Sequence, residues 1–290
     1  MSVAVGVVWL ALPMLALGQG AAPKPAGPPL PRTADGKPDL SGIWRASPGG
    51  SYSMEDTELQ DLGRGVLTPE LAERMRTGRG NSRVVDPLDG KIPYQPWAKA
   101  KQKLVFDNHL RSGLPGFKKE YIDPATRVDP LGVPRGNILS QHRIVQTPTY
   151  VAMLLEADHN TRLIPITDRP HLGRNIILWM GDSRGRWDGD TFVIDTTNQH
   201  DGTWFDVVGD FHSTGMHLIE RLTPIDVNTL NYETLVDDPS VFTRPWTLRV
   251  TLKRNTEKDY EIWEQMYFEG EQSYQTILNG VDKDAAPDPR

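Results

Sequence analysis

The chain has 290 residues, no Cys and a formal net charge of -6. The missing Cys excludes disulfides, thiol catalysis and thiolate zinc sites, and the acidic balance lacks the basic surface that nonspecific nucleic-acid binding needs. At 38% hydrophobic and 24% charged residues the composition is that of a globular chain long enough to bury a core.

Val3 to Leu17 form a short apolar run, and Ala16 and Gly18 place small residues at the positions read by signal peptidase. Residues 1–18 are therefore expected to be a signal peptide cleaved before Gln19, giving a periplasmic or secreted protein. No Lys or Arg precedes the run, so either the amino terminus alone supplies the charge or the true start lies elsewhere. Neither this run nor any later stretch is suited to span a bilayer, and no membrane insertion is expected after cleavage. Residues 19–39 read as a Pro-rich linker. It ends at Leu40-Ser-Gly-Ile-Trp44. A Gly-x-Trp opening the first strand resembles the start of calycin barrels, including lipocalins, where the Trp closes one barrel end; the plainer reading is an aromatic that anchors the fold.

Residues 40–280 read as one domain whose first part, to about residue 140, is an irregular wrap. It holds two short helix candidates. One starts at Thr68-Pro-Glu70 and runs to about Thr77; the other starts at Pro96 and runs through Val105. Asp123-Pro124, Asp129-Pro130 and Val133-Pro134 break the rest.

From His142 onward, strands alternate with turns. Candidates are His142 to Gln146, Tyr150 to Glu156, Thr161 to Ile166, Arg184 to Trp187, Thr191 to Thr196, His217 to Thr223, Thr229 to Val236, Thr247 to Lys253 and Tyr260 to Phe268. In the cleanest of them Leu248, Val250 and Leu252 share one face while Arg249 and Lys253 share the other. No long helix is available for parallel crossovers. The predicted fold is all-β: an antiparallel calycin- or lipocalin-like barrel, or a strongly curved sandwich, behind the irregular wrap. Residues 281–290 are expected to be a disordered tail.

Polar and aromatic residues concentrate between positions 179 and 223. A loop carrying His200, Asp201, Trp204, Asp206, Asp210, His212 and Ser213 joins two alternating strands there. In the second of these strands His217, Ile219 and Arg221 share a face. Glu264 shares one with Tyr260, Ile262 and Met266, which is read as inward. An inward Glu264 needs a partner, and His217 or Arg221 could supply it, giving a pair able to move protons. His217, Arg221 and Glu264 are thus the catalytic candidates. His171, Trp204, Asp206, His212 and Trp187 are candidates for substrate binding. His171, His212 and His217 are the candidate metal ligands; a divalent metal stays open, since imidazole and carboxylate suit zinc, iron or manganese, but no ligand spacing supports it. Ser213 lacks a nucleophile elbow, and no phosphate-binding loop is present.

Leu40-Ser-Gly-Ile-Trp44, Gly132-Val-Pro-Arg135, Ile144-Val-Gln-Thr-Pro148, Arg169-Pro-His171, Gly185-Arg-Trp-Asp-Gly-Asp-Thr191, Thr203-Trp-Phe-Asp206, His212-Ser213, His217 with Glu220-Arg221, Asp237-Asp-Pro239 and Thr243-Arg-Pro-Trp246 occur in this order. The set resembles a large family of secreted bacterial β-rich proteins for which no reaction is established. The resemblance covers most of the mature chain. It implies export and a barrel-like fold, and it transfers no catalytic residue. A Cys often precedes the Gly-Val-Pro-Arg piece in that family; here the neighbourhood is Val128-Asp129.

Two functional readings follow. One is an exported enzyme using acid–base chemistry, with or without metal assistance, of the hydrolase, lyase or isomerase type on a small organic or sugar-like substrate. The other is a periplasmic lipocalin-like barrel that binds or carries a small molecule without catalysis. A polar, charge-paired cavity favours the first and a mostly apolar cavity the second.

Overall fold

Period-two alternation builds the architecture. In β10 (Trp246–Arg254) Trp246, Leu248, Val250 and Leu252 are buried while Arg249 and Lys253 are exposed, so one face leaves water and the other keeps its charges hydrated. The computed structural model describes residues 29–56, 82–127, 129–157, 160–263 and 277–284. The other strands are β1 (Gly42–Ser47), β2 (Val84–Asp86), β3 (His142–Gln146), β4 (Tyr150–Leu155), β5 (Thr161–Pro165), β6 (Asp182–Asp188), β7 (Thr191–Thr197), β8 (His217–Asp226) and β9 (Thr229–Asp237).

Antiparallel pairing gives the order β5-β4-β3-β1-β10-β9-β8-β7-β6. The two end strands then approach each other. Ile166 and Gly185 form a parallel bridge, and the Thr167 N–H donates to the Gly185 carbonyl at 3.2 Å. The sheet is therefore a nearly closed antiparallel barrel, as the alternation predicts. β2 extends it by pairing with β10 at a register shift between Thr247 and Leu248. Three residues are too few to display an alternation, which is why sequence reading missed this strand.

The inward side chains pack into one apolar cluster that includes Trp44, Met153, Phe192, Leu218, Tyr232, Trp246 and Leu248. Phe205 and Phe242 meet the Trp246 ring edge-on, with centroids 5.3 and 5.6 Å away. Trp44 is buried, its Nε1–H donates to the Leu40 carbonyl at 2.9 Å, and the Arg254 guanidinium lies 4.2 Å over its ring. The backbone at Gly42 has φ +135°, and a β-carbon there would run into Arg254 Nη1. Gly42 is thus required both by conformation and by the close approach of Arg254.

Among the described residues two α-helices belong to the wrap. α1 (Pro96–Asn108) starts with Pro at its first turn and buries Ala98, Gln102 and Val105, close to the helix expected from Pro96. α2 (Arg135–Leu139) follows the turn at Val133-Pro134; sequence reading assigned it to irregular chain. Its Asn137 is fully buried and donates to the Tyr232 hydroxyl at 3.1 Å, inside the barrel. The expected helix from Thr68 to Thr77 lies outside the described residues.

Three expectations need correction or restriction. First, the inward residues of β8 are Leu218, Glu220 and Leu222, all at 0% exposure, so His217, Ile219 and Arg221 face outward. Two Leu outvote one Ile for the core face, and hydration keeps the cationic side chains outside. Second, residues 260–263 form no strand, and the rest of that candidate, Glu264 included, lies outside the described residues. Third, residues 281–284 do not behave as a loose tail. The Asp282 N–H donates to the Phe117 carbonyl at 2.7 Å, its carboxylate accepts from the Gly116 N–H at 2.8 Å, and Val281 packs beside Phe117.

Candidate functional site

The outer face of β6, β7 and β8 carries a chain of alternating acids and imidazoles. Asp195 sits on β7 opposite Arg184 and Ile219. Its Oδ1 accepts from His217 Nε2 at 2.8 Å and from His171 Nε2 at 2.9 Å. His171 Nδ1 lies 3.0 Å from Asp182 Oδ2. The order along the surface is Asp182, His171, Asp195, His217.

Local structure explains why His171 is there. The loop after β5 turns back over the sheet, and Asp182 captures it by accepting the Leu172 N–H at 2.9 Å. Asn198 adds a second clamp. Held at φ +61°, it donates its side-chain amide to the carbonyls of Gly173 and Ile176, both at 2.9 Å. Arg184 then pairs with the other Asp182 oxygen at 2.6 Å. Burial pushes the Asp182 carboxyl up, but hydrogen bonds from the Leu172 N–H, Arg184 and His171 outweigh it and leave it below the usual carboxylate range.

The two imidazoles differ in what they can do. Both nitrogens of His171 face carboxylates, so this ring is committed to bridging. His217 uses only Nε2. Its Nδ1 has no hydrogen-bond partner among the described residues, and its side chain is 43% exposed. In the tautomer whose Nε2–H donates to Asp195, the lone pair falls on Nδ1, which is the arrangement a proton acceptor needs. Asp195 is the residue that sequence reading missed. The signal was present, because Asp195 alternates with Ile194 and so had to share the outward face with His217 once β8 was placed correctly.

The other candidates lie elsewhere. Arg221 is on the same outward face but four residues along β8, about 13 Å from His217 at the rise of a strand, and it pairs with Asp188 at 2.8 Å. The inward carboxylate is Glu220, which pairs with Arg162 of β5 and accepts from the Tyr232 hydroxyl at 2.6 Å. Trp187 packs against the Phe192 ring, 5.1 Å away, with Lys37 above it. Trp204 is half-buried in the 203–212 loop, bridged to Phe211.

Asp206 and His212 are buried below that loop. Asp206 accepts the Met54 N–H at 2.8 Å and the Asp210 N–H at 3.0 Å. Burial, and then the Asp210 charge, push its carboxyl well above the usual range. Tyr94 donates to Asp210 at 3.0 Å, and the nearby Arg83 is lowered to about 10 by burial. His212 Nε2 lies 2.7 Å from the Thr203 hydroxyl and its Nδ1 2.9 Å from the Ser213 carbonyl. These two side chains fasten the wrap and the loop to the barrel and face no open surface.

His171 and His217 therefore meet, whereas His212 is separate from them. Among the described residues no group of three or more His, Asp or Glu is arranged to hold a metal ion. No helix among the described residues is long and apolar enough to cross a membrane. No family model, curated protein or solved structure matches this chain.

Proposed function

We propose that this chain is an exported enzyme that transfers a proton to or from a small organic or sugar-like substrate, with hydrolase, lyase or isomerase chemistry, at the outer face of β7 and β8. The observation that carries the reading is the 2.8 Å contact between His217 Nε2 and Asp195 Oδ1, which leaves Nδ1 of this 43% exposed side chain without a hydrogen-bond partner among the described residues. In the reaction the substrate proton moves to Nδ1, while Nε2–H stays bonded to Asp195, whose charge stabilises the imidazolium that forms. His171 and Asp182 position Asp195 and do not contact substrate. The packed interior, crossed by the Arg162–Glu220 pair, draws support away from the alternative of a lipocalin-like carrier with a ligand inside the barrel. Export rests on the apolar run from Val3 to Leu17, and the motif resemblance points the same way.

The test is a turnover screen of the purified protein on aryl esters, lactones, aryl glycosides and β-elimination substrates, run beside His217→Gln. A positioned acid–base group is worth roughly 10²- to 10⁴-fold, so the variant should lose activity by that factor while melting at the same temperature. An activity that survives the substitution would remove His217 from the mechanism. Export is tested separately, by N-terminal sequencing of the protein recovered from its native compartment; a chain starting at Gln19 is the expected result.

A further inference from the structure

A cleft of about 390 Å³ opens where β1 and β3 run beside the end of β10. Ile43 and Val145 contribute apolar surface, and Arg143, Arg254 and Asn255 contribute polar groups. It lies among β1, β3 and β10, away from the β6–β8 face that carries His217, so it stands independently of that site. We infer that this cleft is a binding site for a small organic anion with an apolar tail, a short-chain carboxylate being the simplest member of the class.

Arg254 is the anchor. Its Nη1 donates to the Ser41 carbonyl and its Nε to the Val227 carbonyl, the latter at 2.9 Å. Both acceptors are neutral, and no carboxylate lies within ion-pair distance of this guanidinium among the described residues. Its Nη2 has no hydrogen-bond partner among them. Asp39 acts on this half-buried cation only from beyond ion-pair distance, and an anion in the adjoining cleft would add a direct charge-assisted hydrogen bond. The Trp44 ring beneath and the carbonyls on two sides fix the orientation of the fork, so little is lost in ordering it.

Arg143 supplies the second cation. Its partner is Glu261, whose side chain is 71% exposed. Such a solvent-screened pair is weak and can be displaced. On the same outward face of β3, Val145 is 44% exposed and offers surface for an apolar tail. The volume sits near the lower end of known small-ligand pockets, roughly 300 Å³ upward, which suits a ligand of few heavy atoms. The Ser41-Gly-Ile-Trp44 motif is thereby accounted for: Gly42 lets Arg254 approach, Ser41 holds it, Trp44 supports it and Ile43 lines the cleft.

The test is isothermal titration of the full chain with hexanoate, hexanol and inorganic phosphate at neutral pH and low salt. Hexanoate should bind one to one, and roughly tenfold tighter than hexanol, because the charge-assisted bond is lost in the alcohol. Phosphate should bind more weakly than hexanoate. Glu261→Gln should strengthen hexanoate binding roughly two- to fivefold by freeing Arg143, and Arg143→Gln should weaken it by a similar factor, with no change in melting temperature. The two variants are on the surface and pull in opposite directions, so a folding defect cannot imitate the pattern. Absence of saturable hexanoate binding, phosphate binding tighter than hexanoate, or indifference to both variants would overturn the inference.

Discussion

Arg162 on β5 reaches across the seam of the barrel to Glu220 on β8. On the way it contacts one hydroxyl from each intervening strand, Ser183 of β6 at 2.9 Å and Thr196 of β7 at 2.7 Å. Backbone pairing between β5 and β6 is sparse, so this side chain supplies much of the closure. Both members of the pair are essentially without solvent contact. A buried guanidinium whose carboxylate is removed keeps its desolvation penalty without the compensating attraction, which typically costs about 3–5 kcal/mol. Glu220→Gln should therefore lower the unfolding free energy by that amount, read from a denaturant midpoint shifted down at unchanged m-value. The double variant Arg162→Met with Glu220→Met should recover only part of it, because the ion pair is gone but the buried hydroxyls of Ser183, Thr196 and Tyr232 lose partners. Equal stability of Glu220→Gln and the parent chain would mean that the seam is held by packing alone.

The outer chain of acids and imidazoles makes a graded expectation about catalysis. Asp195 touches His217 directly, whereas His171 acts only through Asp195. Asp195→Asn should lower kcat by roughly 10²-fold or more, since the amide no longer favours the productive tautomer or stabilises the imidazolium. His171→Gln should have a smaller effect, because the glutamine amide can still donate to Asp195. KM should change little in either variant. An Asp195→Asn protein with unaltered kcat and pH profile would show that His217 works without its carboxylate.

The barrel was legible from the sequence because its strands alternate openly: Leu248, Val250 and Leu252 against Arg249 and Lys253 leave one choice of core face. The face of β8 was misread for the opposite reason. His217-Leu-Ile-Glu-Arg-Leu222 offers apolar residues on both faces, and the choice depends on Glu220 finding Arg162, which lies 58 positions away in the chain. No local pattern carries that pairing. The same limit hid the site. His171 and Asp182 are brought to Asp195 by a loop clamped through Asn198, and His212, although close to His217 in sequence, is drawn under the 203–212 loop by Thr203.

Burial gives His142 a definite pH signature. Its imidazole is fully buried and is lowered from 6.5 to about 4 by desolvation. The folded chain keeps the ring neutral, while the unfolded chain binds a proton below 6.5. The associated stability is present above pH 6.5 and is lost as pH falls toward about 4, by up to about 3 kcal/mol. Asp206 acts in the other sense. Its carboxyl is raised when folded, so its contribution is full below the ordinary carboxylate value and is lost as pH rises through the raised one. Unfolding free energies measured by denaturant between pH 4 and 6.5 should thus rise with pH less steeply in His142→Leu and more steeply in Asp206→Asn. Identical slopes in His142→Leu and the parent chain would mean that this ring is not the group titrating in that window.

Gly42 and Arg254 should be coupled energetically. An alanine at position 42 would have to adopt φ +135° and would also place its β-carbon against Arg254 Nη1. Gly36 provides the control, with φ +80° and nothing within 4 Å of an added β-carbon. Gly36→Ala should cost only the conformational strain, roughly 1–2 kcal/mol. Gly42→Ala should cost more than that, because the guanidinium must leave the Trp44 ring or the strand must shift. In an Arg254→Lys background the slimmer ammonium vacates the clash, so the Gly42→Ala penalty should shrink toward the Gly36 value. A double-mutant cycle by thermal or chemical unfolding reads this directly. Additive penalties would mean that Gly42 is needed for its backbone conformation and not for the approach of Arg254.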